Sequence, residues 1–326
     1  MDAADFMPGE AVLAGIRGDI EAYEAGRVSA YRKVRWRVPL FVAVVVAVVL
    51  AVAWGFNALA DPYEQWLSTP HLFLYLVGAV AAVAAYFHAM RPATEARQTF
   101  RERLLPTVFG FIEDVRYRHG AVPDSFGRLP GEAVGSFNRQ TFDDVVSGRY
   151  QGFSFELYEA LLQEKSGKST VTAFHGVVVA VGAATTFPGL LVATRKANAV
   201  VGFFRGLFGP RLKEVQSGVP ALDAAYEFRT DNADAARPLV RGRLAKALQW
   251  LGEAWPDEPA RIALSGNDIF LLLPQDRNFF ELPGVSQPLD YDRDVKPMIA
   301  DMAALLATAA LVRQVGVGDE DAPAQG

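Results

Sequence analysis

The chain has no cysteine. That excludes disulfides, thiolate zinc sites, iron–sulfur clusters and cysteine nucleophiles together. Histidine is nearly as scarce, with four residues left as metal ligands or general bases. Charge is thin as well, at 21% of residues against 51% hydrophobic, and the mean hydropathy of +0.13 is high for a soluble protein. A net charge of −5 provides no electrostatic reason for a nucleic-acid partner. Lysine is far rarer than arginine, which suggests a GC-rich bacterial genome and says nothing about chemistry. At 326 residues the chain is long enough for one large or two small domains.

Two stretches lack charge altogether, residues 38–60 and 71–90. About 20 residues at ~1.5 Å each match a hydrocarbon core of ~30 Å, so each stretch is expected to cross a bilayer. The connection, 61–70, is polar and has no Lys or Arg. Arg27, Arg32, Lys33, Arg35 and Arg37 precede the first span; Arg91, Arg97, Arg101 and Arg103 follow the second. Positive residues on both outer flanks place both termini in the cytoplasm of a bacterial inner membrane. Trp36, Trp54, Tyr63, Trp66, Tyr75 and Tyr86 fall near the span ends, as an aromatic belt would. More than thirty mostly polar residues before the first span argue against a cleaved signal peptide. With no Asp, Glu, Lys or Arg inside either span, these two helices alone lack the groups of an ion path or proton relay. His71 and His88 read as interfacial anchors. Gly78, Ala81, Ala82 and Ala85 would let a helix approach closely, either the chain's own first span or another protomer or membrane protein.

The expected organisation is a cytoplasmic N-terminal helix (1–37, broken at Gly26), the hairpin (38–90), a cytoplasmic helix and linker (91–135), an α+β domain (136–315) and a disordered acidic tail (316–326). The apolar spacing of Phe100, Leu104, Leu105, Val108, Phe111, Ile112 and Val115 predicts a helix over 92–119, bent at Pro106. In that helix His119 is a C-terminal cation before Gly120. From Phe153 the pattern alternates, predicting strands at 153–158, 171–181, 187–193 and 226–229, with 261–264 and 269–273 as a hairpin. Thr230-Asp-Asn-Ala233 reads as a helix start with Pro238 in the first turn of the stretch carrying Leu239, Val240, Leu244, Leu248 and Leu251, and 294–315 is a helix apolar on nearly all sides. Hairpin-spaced strands with late helices give an α+β fold with a mostly antiparallel sheet.

Catalytic patterns do not survive inspection. Ser166-Gly-Lys-Ser169 ends like a phosphate-binding loop. Leu162 stands where its first glycine belongs, however, and a β-branched strand follows where a helix is needed, so it reads as a hairpin turn. His175 sits within a strand without an evident partner, and Asp143, Asp144, Asp290, Asp292 and Asp294 read as turn and helix-start residues. Paired-histidine metal motifs, serine elbows and calcium loops are absent from the sequence. No catalytic residue, cofactor or metal is therefore expected. One basic, aromatic stretch stands out: Arg195, Lys196, Phe203, Phe204, Arg205, Phe208, Arg211 and Lys213, with no acid among residues 195–213. Such a mixture suits an anionic membrane surface; a loop packed on its own domain is the plainer reading.

Residues 142–162, together with 174–179 and the 280–289 ending, closely resemble a bacterial family of two-pass inner-membrane proteins. Its conserved cytoplasmic domain has no known function, and it is sometimes labelled galanin. The likeness runs from about residue 97 to 315, is most specific at Gly148-Arg-Tyr-Gln-Gly152, and departs at 182–186 and 197–210. It implies a two-pass topology and brings no activity, cofactor or catalytic residue. The functional expectation is a non-enzymatic binding or scaffold module held at the lipid bilayer. The alternative is a membrane-anchored enzyme using His175 with a distant acid, or Arg149 and Arg195 on an anionic substrate.

Overall fold

The computed structural model describes residues 7–59, 68–99, 105–196, 212–255, 260–276, 279–280, 283 and 286–313. Two compact units divide the chain. The larger comprises Met1–Val12, Val108–Glu281 and Val295–Gly326; the smaller comprises Leu13–Thr107 and Leu282–Asp294.

The smaller unit is built on α1 (Glu10–Leu59) and α2 (Thr69–Thr99). Helix α1 runs without the expected break at Gly26. A glycine costs only ~1 kcal/mol in a helix interior, and here the helix is braced around it. Arg27 holds Glu24 through Nε–Oε1 at 2.6 Å and Nη2–Oε2 at 2.8 Å, and Glu24 Oε1 also accepts from the Leu289 amide at 2.7 Å. The Arg17 guanidinium lies 4.5 Å from the centre of the Tyr291 ring, so the 286–294 segment packs along α1. Asp290 and Asp294 do cap a helical turn: Asp290 Oδ1 accepts from the Arg293 amide and Asp294 Oδ2 from the Asp290 amide.

Three contacts set α1 and α2 side by side and antiparallel. Phe41 meets His88, Phe56 meets His71, and between them a Cβ on Gly78 would lie 2.6 Å from Val49 Cγ2. Gly78 thus serves packing within the chain. Most of the remaining surface of this pair is apolar and open. Leu40, Val48, Leu50 and Trp54 of α1 are exposed, as are Phe73, Leu76, Val80 and Phe87 of α2.

The larger unit is α+β, with an antiparallel sheet flanked by helices. Its strands are β1 (Glu113–His119), β2 (Arg139–Tyr150), β3 (Phe153–Ser166), β4 (Ser169–Arg195), β5 (Lys213–Val215), β6 (Tyr226–Thr230) and β7 (Arg261–Pro274), in the order β1-β2-β3-β4-β6-β5 with β7 also on β4. The long β4 organises the sheet. One edge pairs with β7 along nearly its whole length; the other pairs first with β3, then with β6.

The larger unit's helices are α4 (Gly131–Val134), α5 (Pro220–Ala225), α6 (Ala233–Arg241), α7 (Arg243–Ala254) and α8 (Lys296–Arg313), while the single turn α3 (Leu105–Val108) falls mainly in the smaller unit. On one sheet face Phe142, Tyr158, Leu162, Phe174, Val178 and Phe270 pack with α4 and with Phe126, Leu129 and Phe137. The opposite face carries Phe153, Phe155, Leu157 and Glu159 by strand alternation. Helix α8 packs on β4 and β7, and Arg313 at its end stacks over Phe153 at 5.5 Å. Because β3 is covered on both faces it is buried almost continuously.

Several expectations are corrected. The predicted helix over 92–119 is three elements: α2 continues through Pro92 to Thr99, α3 is one turn, and 113–119 is strand β1. There the period-two alternation of Val115, Tyr117 and His119 outweighs the three-to-four apolar spacing upstream. The strands expected at 171–181 and 187–193 are one strand, β4, whose register shifts between Gly182 and Leu190 absorb the turn-like residues. Likewise 261–274 is a single strand, not a hairpin; Gly266, at φ +57°, lets the backbone jog without reversing. The Ser166–Ser169 pair does close a two-residue turn, with Gly167 at φ +60°.

Candidate functional site

The β2–β3 ladder skips a step. Phe142 pairs with Ala160 and Val145 with Tyr158, so Asp143 and Asp144 together oppose the single residue Glu159. A bulge of this kind re-aims side chains and gathers two of them opposite one. Edge strand β1 adds the other half: His119 pairs with Asp144, and the Gly120 amide donates to the Asp143 carbonyl at 2.6 Å, closing the strand end.

Two carboxylates and an imidazole converge here, with a third carboxylate nearby. His119 Nδ1 is 3.0 Å from Asp143 Oδ1 and 3.0 Å from Asp144 Oδ1. The Tyr117 hydroxyl donates to Asp144 Oδ1. The Asp144 side chain is fully buried (0% exposed), whereas those of Asp143 and His119 are 37% and 49% exposed, so the group opens to solvent on one side. Glu159 forms its floor at 7% exposure. Its Oε1 accepts from the Phe279 and Phe280 amides, and its Oε2 has no hydrogen-bond partner among the described residues. Burial pushes the Glu159 carboxyl up to about 8, and the charges of Asp144 and Asp143 add to the shift against the pull of the two amides.

Glu156, three residues away on the other sheet face, shows what a structural buried carboxylate looks like. Its oxygens accept from Arg118 Nη2 at 2.9 Å and from the Asp124 and Ser125 amides at 3.0 and 2.7 Å, pinning the 120–128 loop. Among the described residues Glu159 has no cation, and it keeps a spare oxygen near two further acids. That difference singles out the bulge.

The expected site residues fall elsewhere. Arg195, paired with Tyr226 of β6 at the end of β4, and Lys196 just after it are exposed, with Lys196 Nζ donating to the Asp223 carbonyl at 3.0 Å. Lys213, also exposed, begins β5 opposite Thr230. Phe203, Phe204, Arg205, Phe208 and Arg211 lie outside the described residues. His175 is in β4 and half-exposed, with Nδ1 3.6 Å from the fully exposed Asp276. Arg149 is exposed beside the β2–β3 turn. His119, read as a helix-end cation, and Asp143 and Asp144, read as turn residues, are instead strand residues of the bulge. Tyr117 and Glu159 were not anticipated, although Glu159 shares the parity of Phe153, Phe155 and Leu157 and so interrupts an apolar face.

An apolar cleft of about 190 Å³ near Thr186, Phe187, Leu239, Ile269 and Arg313 shares no residue with this cluster.

No family model and no curated protein matches the chain. The crystal structure of the mycobacterial trehalose monomycolate transport factor A, TtfA, is similar at 14% identity, over 64% of this chain and 93% of that one, with a TM-score of 0.33. A likeness at that level carries no weight for the site, which rests on its own geometry.

Proposed function

We propose that this chain is a two-pass inner-membrane protein, of the kind its 142–162 stretch resembles, whose cytoplasmic α+β domain is a non-enzymatic binding module. One observation carries the reading. Among the described residues three helices are long and apolar enough to cross a membrane, yet only two leave their apolar surface uncovered. The most apolar windows of α1 and α2 have hydropathies of 2.7 and 1.9 and are 6% and 11% buried; that of Tyr291–Arg313, at 1.6, is 67% buried. The third is a core helix, lying on the sheet. The first two expose a continuous apolar surface far beyond what soluble monomers tolerate. Each exposed Leu, Val or Phe gains ~1.5–3 kcal/mol on full transfer out of water, so lipid is the natural cover.

Arginines on both outer flanks, and none in the connection, support a topology with both termini and the larger unit on the cytoplasmic side. There Arg195, Lys196 and Lys213 are exposed, and with Phe203, Phe204, Arg205, Phe208 and Arg211 they supply a basic, aromatic segment suited to the anionic inner leaflet. Alkaline carbonate extraction of membranes from cells expressing the full chain tests the anchor. The protein should stay in the pellet, and its release into the supernatant would refute insertion.

A further inference from the structure

We propose that His119, Asp143 and Asp144, with the buried carboxylate of Glu159 beside them, form a binding site for one divalent first-row transition-metal ion. This site is independent of the apolar helices and goes beyond the membrane reading.

The case begins with spacing. One ligand atom from each of His119, Asp143 and Asp144 lies within 4.8 Å of the others, and the imidazole nitrogen is 3.0 Å from an oxygen of each carboxylate. Donor atoms around an ion with ~2.0–2.1 Å bonds sit ~3.0–3.4 Å apart, so an ion fits between these three groups with shifts of a few tenths of an ångström. The donors come from two strands and a bulge, not from a flexible loop, and the Tyr117 hydroxyl fixes Asp144 from behind as an outer-shell partner would.

A surface ion pair between His119 and its aspartates would account for those three residues alone. It does not account for Glu159. That carboxylate is more than nine-tenths buried, stands across the ladder from the bulge, and keeps Oε2 without a hydrogen-bond partner among the described residues. In a bulge the two extra-step residues and their single opposite share a face, so Glu159 points toward the same space as Asp143 and Asp144. A divalent ion offsets the charges of the two aspartates and of the buried carboxylate beside them. The half-exposed His119 and Asp143 leave the way in open.

The donor set selects the metal class. One imidazole and two carboxylates, without thiolate, suit Zn²⁺, Mn²⁺, Fe²⁺ or Co²⁺; the nitrogen ligand argues against Mg²⁺ and Ca²⁺, which take oxygen.

The test uses the full chain without a polyhistidine tag, in detergent micelles, stripped by chelator and titrated with Co²⁺ alone while its visible d–d absorption is followed. Saturation at one equivalent, with displacement by Zn²⁺, is expected. His119→Gln and Glu159→Gln should each weaken binding by at least about tenfold, and His175→Gln should leave it unchanged. His119 is half-exposed and Gln matches Glu in shape, so both variants should fold; their melting curves check this. Should either fail to fold, the unsubstituted protein still decides, because Zn²⁺ must raise its melting temperature. Absence of the Co²⁺ bands, no Zn²⁺ effect on melting, or binding that survives His119→Gln would overturn the assignment.

Discussion

Glu159→Gln should make the metal-free protein more stable, and more so as pH rises. The reason is a buried carboxyl held near 8 where an ordinary one titrates near 4.5. A group whose folded pKa is raised binds its proton more tightly in the folded state. Its contribution is therefore complete below about 4.5 and is lost progressively as pH climbs toward 8. Each unit corresponds to ~1.4 kcal/mol, so the wild type has lost about 3 kcal/mol by pH 7 relative to a side chain that stays neutral. Glutamine is that side chain. Its Oε1 still accepts from the Phe279 and Phe280 amides, and its Nε2 supplies a donor beside Asp144. For a domain of this size ~1 kcal/mol moves the melting temperature by ~2–4 °C. Glu159→Gln should then melt with the wild type near pH 4.5 and roughly 6–12 °C above it near pH 7 in the presence of chelator. Differential scanning fluorimetry of the detergent-solubilised full chain reads the difference. A gap that does not change between those two pH values would refute the raised carboxyl. Greater stability combined with weaker metal binding would mark Glu159 as a functional residue retained at a stability cost.

Glu156→Ala should free the 120–128 loop, leaving two amides without their acceptor and Arg118 with only its contact to Asp124 among the described residues, at a cost of about 2–4 kcal/mol; hydrogen exchange at the Asp124 and Ser125 amides should accelerate, and unchanged protection would contradict the pinning role. Gly176→Ala should cost at least about 3 kcal/mol, because its Cβ would lie 2.0 Å from the Leu273 carbonyl at φ +151°; a melting temperature within a degree of wild type would show that β7 does not approach β4 so closely. Trypsin should cut at Arg205 and Arg211 more slowly in nanodiscs of anionic lipid than of zwitterionic lipid, with the protection lost at high salt, since each basic residue near an anionic surface contributes ~1 kcal/mol. Equal cleavage in both lipids would reduce the segment to an ordinary loop.

Much of this architecture can be read from residue order, and its failures share a cause. The uncharged runs at 38–60 and 71–90, the all-apolar α8 and the Asn232 cap are local signals, and Asn232 Oδ1 does accept from the Ala235 amide at 3.2 Å. Turn-rich sequences inside β4 and β7 mislead because register shifts consume glycines and prolines without reversing the chain. The site was hidden for the same reason. Asp143 and Asp144 look like a turn until β3 is laid beside them, and His119 looks like a helix end until β1 pairs with β2. Only pairing across the sheet brings residues 119, 144 and 159 together. Gly148 is a parallel case: a Cβ there would lie 2.5 Å from Ile112 Cγ2, so this glycine is required by packing at the start of β1.

The claim on which the functional reading depends is that α1 and α2 carry the chain across the membrane and back. Reporter fusions test it most directly: an enzyme active only in the cytoplasm and one active only outside it, each placed at position 65 and at position 326. The two-pass reading predicts cytoplasmic activity at 326 and external activity at 65. External activity at 326, or cytoplasmic activity at both positions, would contradict it.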